Sequence, residues 1–341
     1  MLPPAAGYWE WTLRRPGRRQ FLAGAGVALA VPIASYAQQR TKLFRVGVLI
    51  VPSASAFVAR TNALRAGLQD LGYLEGKNYK LEVYSADGKP DRLPELAAAL
   101  VRQDIDVIVA AGSPAIRAAK NATGTIPIVI AAVGDAVAGG FVSNLSRPGA
   151  NITGSTYFAP ELASKQLELL KEAFPTATRI AVISNPNNPA TEMTLRVVES
   201  SAKALKLELE QFALRGMADA ESTFATIAKQ RHRVALIIDD PITISNAGAL
   251  AEQATKHKLA SGGNFIEYAE AGGLMAYGVN LVALWRRAAS FVDKILKGTS
   301  PGEIPVERAT RFELVINRRT ANAIDVSIAQ SILLRADRLI E

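Results

Sequence analysis

Short apolar runs alternate with amphipathic stretches along most of this chain, and each pair reads as one strand followed by one helix. Arg45–Val51 (RVGVLIV) ends at Pro52 and has the unbroken apolar character of a strand buried on both faces. Phe57–Leu71 follows with Phe57, Leu64, Leu68 and Leu71 at helical spacing, stopped by Gly72. Tyr79–Tyr84 alternates as a strand, Asp91–Arg102 is helical, and Val107–Ala110 is a strand that runs into Ala111-Gly112. Ser113-Pro114 then opens a helix, with Ser113 expected as N-cap and Pro114 at the first helical position. Ile126–Ala131 closes this part as another apolar strand. The β-α-β-α-β-α-β order favours a parallel sheet with right-handed crossovers.

Ser146–Tyr157 (SRPGANITGSTY) breaks the pattern with Pro, Gly and Asn, and marks an expected hinge or inter-lobe crossing. The alternation then restarts. Glu161–Phe174 reads as a helix, Arg179–Ser184 as a strand, and Ala190–Leu205 as a helix with Asn188 as cap and Pro189 in its first turn. Leu207–Phe212, Val234–Ile238, Phe265–Tyr268 and Leu274–Tyr277 read as further strands. Ala218–Gln230, Asn246–His257 and Leu281–Lys297 read as helices. Glu313–Ile316 adds a strand and Arg319–Ile324 a last helix. The pattern predicts an α/β chain of two Rossmann-like lobes with parallel sheets: residues 42–155 as lobe I and 156–280 as lobe II. Residues 281–341 are expected to return mostly to lobe I.

The N-terminus reads differently. Arg18-Arg19-Gln20-Phe21-Leu22 leads into a Gly/Ala-rich apolar run that ends near Ile33, and Ser35 and Ala37 fit the small-residue subsites of a signal peptidase. The run is far short of the ~20 residues that span a bilayer. Residues 1–37 are therefore expected to be an export signal, cleaved after Ala37, and the protein is expected in the periplasm, not inserted in the membrane. Arg-Arg-x-Phe-Leu resembles the twin-arginine type. Gly17 before the pair, and Glu10, Trp9 and Trp11 upstream, leave the general route open as well.

Charge and composition then narrow the chemistry. The formal charge is +8, but Arg14, Arg15, Arg18 and Arg19 sit in the leader, and the remainder interleaves both signs without a basic run. Nucleic acid is a poor partner for such a surface. The chain has no cysteine, so an exported protein would rely on its apolar core without disulfides, and no thiol is present for a lipid anchor. His232 and His257 are the only histidines, and no Asp-x-Asp-x-Asp loop occurs, so no metal or other cofactor is expected. His232, within Lys229-Gln-Arg-His-Arg233, is expected on a solvated helix end. Gly24-Ala25-Gly26 lies in the leader and follows no strand, and neither a Gly-x-Ser-x-Gly elbow nor a phosphate-binding loop is present. Asp239 and Asp240 are adjacent and point apart, which makes them a poor pair for glycoside hydrolysis. An enzyme is not expected.

In open parallel sheets, ligands collect beyond the carboxyl ends of the strands, where helix N-termini also point. Those positions hold Ser53, Ser55, Gly112, Ser113, Gly134 and Asp135 in the first half. In the second half they hold Asn185, Asn187, Asn188, Asp239, Asp240, Glu267 and Tyr268. Serines and helix-start amides suit a carboxylate, whereas Asp and Glu suit an ammonium or hydroxyl groups. Asp135 and Asp240, from opposite lobes, are the expected ammonium partners, and Ser113 and Asn188 the carboxylate partners. Tyr157, Tyr268 and Tyr277 are candidates for stacking walls or for core. All these polar residues are also ordinary turn formers and caps.

Several longer blocks carry a resemblance. They are Leu71-Gly72-Tyr73-Leu74-Glu75-Gly76-Lys77-Asn78, Asp91-Arg92-Leu93-Pro94-Glu95-Leu96-Ala97, Gly134-Asp135 and Arg147-Pro148-Gly149-Ala150-Asn151-Ile152-Thr153-Gly154. Asn185-Pro186-Asn187-Asn188-Pro189, Glu270-Ala271-Gly272-Gly273-Leu274-Met275-Ala276-Tyr277-Gly278, Ile295-Leu296-Lys297-Gly298 and Arg311-Phe312-Glu313-Leu314-Val315-Ile316-Asn317 complete the set. In this order they resemble the ABC-transporter substrate-binding proteins that include tryptophan- and tyrosine-type binders. The resemblance spans nearly all of the chain after the leader. It implies the type I periplasmic binding protein fold, with two lobes, a multi-stranded hinge and a small-molecule ligand trapped by closure. It also implies a monomer that works with a permease and its ATPase, or alternatively a sensing module that presents its closed form to a membrane receptor. Asp239-Asp240-Pro241 stands where amino-acid binders of this group carry Thr-Asp-Asn, so Asp240 matches and its neighbours do not. Asn185-Pro186-Asn187-Asn188 likewise lacks the glutamate of a Glu-Pro-Asn-Ser form. An amino acid or related zwitterion or amide is the expected ligand class.

Overall fold

A computed structural model describes residues 42–341, so the expected export signal lies outside the described residues. The first sheet is built from β1 (Phe44–Ile50), β2 (Tyr79–Ser85), β3 (Val107–Ala111), β4 (Ile128–Val133) and β5 (Ile152–Thr156). The second holds β6 (Arg179–Ser184), β7 (Glu208–Ala213), β8 (Val234–Ile237), β9 (Ala260–Phe265) and β10 (Met275–Val279). Three more strands follow: β11 (Glu307–Arg308), β12 (Glu313–Asn317) and β13 (Arg338–Ile340). The strand orders are β11-β5-β4-β3-β1-β2 and β13-β12-β10-β9-β8-β6-β7. Each pairing is parallel except β10 with β12.

Strand periodicity explains why each sheet is covered on both faces. Along β1, Val46, Val48 and Ile50 enter one core with helices Val58–Asp70 and Leu281–Leu296, while Leu49 and Val51 enter the other with helices Leu93–Arg102 and Ser113–Ala122. In the second sheet Ala181, Ile183, Ala235 and Ile237 face one core, and Ile180, Val182, Val234 and Leu236 the other. The edge strand β7 carries exposed Glu208 and Gln211, as befits an edge that must stay unpaired.

The chain passes between the sheets three times: at Tyr157–Phe158 after β5, at Asn280 after β10, and through residues 309–312 before β12. Residues 152–156 of the expected hinge Ser146–Tyr157 are instead strand β5, because Ile152-Thr153-Gly154-Ser155-Thr156 is fully buried beside β4. Gly154 is required there, since a Cβ would lie 2.1 Å from the Ile130 carbonyl oxygen.

The return segment is divided, which corrects its expected placement mostly in lobe I. Helix Leu281–Leu296 packs on helix Val58–Asp70 of the first lobe, with Trp285 edge-on to Phe57 at 5.1 Å and the Tyr73 hydroxyl donating to Asp293 at 3.0 Å. β11 then pairs with β5. Everything from β12 onward joins the second lobe, because Leu314 and Ile316 continue its core beside Met275. Two smaller expectations also change. The strand ends at Phe265, and Glu267–Glu270 is a helical turn whose Tyr268 side chain is buried. His232 is not solvated: it is buried edge-on to Phe212 with Nε2 2.8 Å from Glu210.

Candidate functional site

The carboxyl ends of the two sheets face each other, and the loops leaving β1, β3, β4, β6 and β8 enclose a cavity of about 70 Å³. The first lobe supplies Pro52, Phe57, Arg60, Gly112, Ser113 and Trp285 to its wall, and the second supplies Asn188, Thr191, Thr194, Asp239, Asp240 and Pro241. Tyr157 enters from the first crossing. The lobes touch across this space, since a Cβ on Gly112 would lie 2.9 Å from the Pro241 ring. Past Ser113, Asn188 and Asp240 the cavity continues into a wider groove of about 550 Å³ lined by Asp91, Arg117, Asp135, Asn185 and Asn187.

The second-lobe wall is tied together by Asp240. This residue caps helix Pro241–Ser245: its Oδ1 accepts from the Ile242 amide at 2.8 Å, and its own amide donates to Thr243 Oγ1 at 2.9 Å. The same carboxylate accepts from Asn185 Nδ2 at 3.2 Å and Asn188 Nδ2 at 2.9 Å, while Asn188 Oδ1 caps helix Pro189–Ala204 through the Ala190 amide. Asp239 turns the other way, as adjacent residues of an extended segment do. Its oxygens accept from the Tyr157 hydroxyl at 2.6 Å and Asn264 Nδ2 at 2.7 Å. Burial pushes both carboxyls above the usual aspartate range, against the pull of those hydrogen bonds. Burial, then the charge of Asp239 and its hydrogen bond, raise Tyr157 well above the usual phenol value.

The first-lobe wall is less occupied. Helix Ser113–Ala122 starts one residue earlier than its sequence suggests, with Gly112 at the N-cap position in a φ of 78°. Ser113 is thus the first helical residue and not the cap, and no side chain caps this helix. A Cβ-bearing residue would strain the Gly112 turn and meet Pro241, so glycine leaves the helix-start amides open to the cleft. Arg60 is buried with its guanidinium 4.9 Å from the Phe57 ring centroid, and its Nη2 lies 3.6 Å from Glu267 Oε1 of the other lobe. Burial lowers the Arg60 pKa and raises that of Glu267.

The structure thus brings Gly112, Ser113, Asn188, Asp239 and Asp240 to one cavity and places Asp135, Asn185 and Asn187 along the adjoining groove. Asp135 Oδ1 accepts from the Val137 and Ala138 amides, both at 2.9 Å, and so shapes its own turn. Ser53 and Ser55 bond each other at 3.1 Å outside the cavity lining, and Glu267 reaches the site through Arg60. Tyr157 lines the cavity, Tyr268 is fully buried against Ser261 in the second-lobe core, and Tyr277 packs beside Phe312. Sequence reasoning missed Arg60, Phe57 and Trp285. Phe57 shows only as one apolar position of an amphipathic stretch. Arg60 is flanked by Ala59 and Thr61 and carries no local mark of burial, and Trp285 arrives from the third segment of the chain.

A family model described as ABC transporter substrate binding protein matches residues 45–340. A tyrosine-binding protein of Clostridioides difficile is 27% identical over 259 residues, covering 76% of this chain and 74% of that protein. The crystal structure of a conserved domain protein from Vibrio cholerae is 30% identical with a TM-score of 0.81, covering 87% of this chain and all of that one. An ABC domain from Streptococcus pneumoniae in complex with L-Trp shares the fold at 22% identity, with a TM-score of 0.80 over 88% of this chain and 100% of that one. The two mostly parallel sheets match type I periplasmic binding protein structures, a family of substrate binders and not of enzymes. With nearly every described residue inside the matched range, this chain belongs to the ABC transporter substrate-binding protein family.

Proposed function

We propose that this chain is the periplasmic binding component of an ABC importer, and that it takes an amino acid or closely related zwitterion between its lobes. The observation that carries the reading is the inter-lobe cavity with buried charges of both signs beside apolar walls. Asp239 would receive the ligand ammonium: its carboxyl is held at a raised pKa by burial, and a cation beside it would restore the ionised form. Pro52, Phe57, Pro241, Ile244 and Leu281 would enclose an apolar side chain. The tyrosine-binding relative and the L-Trp complex support amino acids as the ligand class. The leader with Arg18-Arg19 and a small-residue cleavage site supports export. Among the described residues no helix is long and apolar enough to cross a membrane. Lobe closure would generate affinity, because contacts from both walls coexist only when the lobes meet.

A thermal-shift panel of amino acids, nucleobases, sugars and small carboxylic acids tests the proposal, since a ligand of the folded state raises the melting midpoint by mass action. At least one amino acid should raise it. A response confined to sugars would reject the ligand class.

A further inference from the structure

Arg60 is 7% exposed, yet its guanidinium donates no hydrogen bond among the described residues, and Nε is enclosed without an acceptor. The nearest carboxylate, Glu267, stands at 3.6 Å, beyond hydrogen-bond range, and both of its oxygens are also unpartnered. Such a pair has its charges roughly balanced and its hydrogen bonds unmade, although buried polar groups are normally satisfied. Every other charged side chain in the cavity wall is engaged: Asp240 by two asparagines and a helix amide, Asp239 by Tyr157 and Asn264. Arg60 is therefore the one charged group of the described cavity wall with its full donor set free. The guanidinium is a planar fork of five donors whose geometry matches a carboxylate, and the face of Phe57 fixes its plane.

We propose that Arg60 is the specificity-determining counter-ion for the ligand carboxylate, with Glu267 of the opposite lobe balancing its charge across the closed cleft. This rests on the amino-acid reading given above and adds to it a named partner for the acidic end of the ligand. Because Glu267 comes from the second lobe, the arrangement exists only when the lobes are closed, which couples carboxylate recognition to closure.

Calorimetric titration of the whole exported protein with L-tyrosine, L-tryptophan and L-leucine, each beside its decarboxylated amine (tyramine, tryptamine and isopentylamine), tests the assignment. The wild type should bind at least one amino acid and bind the matching amine far more weakly. Arg60→Gln should weaken amino-acid binding by roughly 10- to 100-fold and leave the amine unchanged, so the preference for the acid disappears. Arg60→Lys keeps the charge without the fork. It should retain part of the preference, and it serves as the readout should Arg60→Gln fail to fold. Wild-type protein that binds amine and amino acid alike, or an Arg60 variant that keeps the full preference, would overturn the role of Arg60 while leaving the amino-acid reading intact. Binding of D-ribose or another neutral sugar with no amino acid bound would overturn both.

Discussion

The two walls of the cleft are built on opposite terms. On the second lobe, Asp240, Asn185, Asn188 and Thr243 form a closed set of hydrogen bonds between the segments that follow β6 and β8, and Asp239 is fixed by Asn264 and Tyr157. On the first lobe the helix at Ser113 begins without a side-chain cap, and Arg60 has no acceptor. One wall is assembled before ligand arrives, and the other keeps its donors open. Residue type alone does not mark a binding group. Asp240 has the chemistry of an ammonium partner, but its lone pairs already serve the fold, whereas Arg60 and the Ser113 amide are free.

Removing the clasp should give the largest effect. Asp240→Ala deletes a helix cap and strands the side-chain amides of Asn185 and Asn188, for a stability loss of about 3 kcal/mol. Chemical denaturation reads this directly, with a smaller change in ligand affinity for the protein that remains folded. An affinity collapse at unchanged stability would mean that Asp240 is a ligand contact and not part of the framework.

Gly112→Ala acts on the opposite wall. The positive φ costs a residue with a Cβ about 1–2 kcal/mol, and the contact with Pro241 penalises only the closed form. Titration should show roughly tenfold weaker binding of the amino acid that the thermal-shift panel identifies. Equal affinity would argue that closure does not bring Gly112 against Pro241. Asp135→Ala should be milder, at about 1 kcal/mol of stability for a lost turn cap, with the dissociation constant unmoved. A weakened dissociation constant would instead put Asp135 in contact with ligand.

The smallest effect is a pH dependence. Burial raises the Asp239 pKa in the fold, so the folded chain keeps that proton above about pH 4, where the unfolded chain has released it. The wild type therefore loses stability relative to Asp239→Asn as pH climbs from about 4 through the raised pKa, and the difference levels off above it. Melting curves of both proteins across that window check the sign. A difference that narrows with rising pH would mean that hydrogen bonds to Asp239 outweigh its burial.

Much of this contrast was beyond the reach of sequence. The β/α alternation was legible because buried parallel strands such as Val107–Ala111 and Val234–Ile237 are apolar throughout, and helix faces carry their own period. The divergence of Asp239 from Asp240 followed from extended geometry, and Asn188 as a cap from its place before Pro189. The tail was misplaced because a strand such as Glu313–Asn317 has the same pattern whichever sheet it joins, and only its antiparallel fit to β10 decides. Arg60 was missed for a related reason. A single arginine on a helix normally reaches water, and its burial here depends on Phe57, Trp285 and Glu267, residues brought together only by the third segment and the second lobe. Ser-Pro commonly starts a helix with serine as the cap, but here Gly112 takes that position at a φ that serine rarely adopts.

Hydrogen exchange of the backbone amides, with and without the amino acid from the thermal-shift panel, tests the contrast between the walls most directly. Residues 185–191 and 240–246 should be protected in both states, while residues 111–116 and 53–60 should gain protection only with ligand. Exchange at 185–191 and 240–246 that is fast without ligand, or no change at 111–116 on binding, would contradict that contrast.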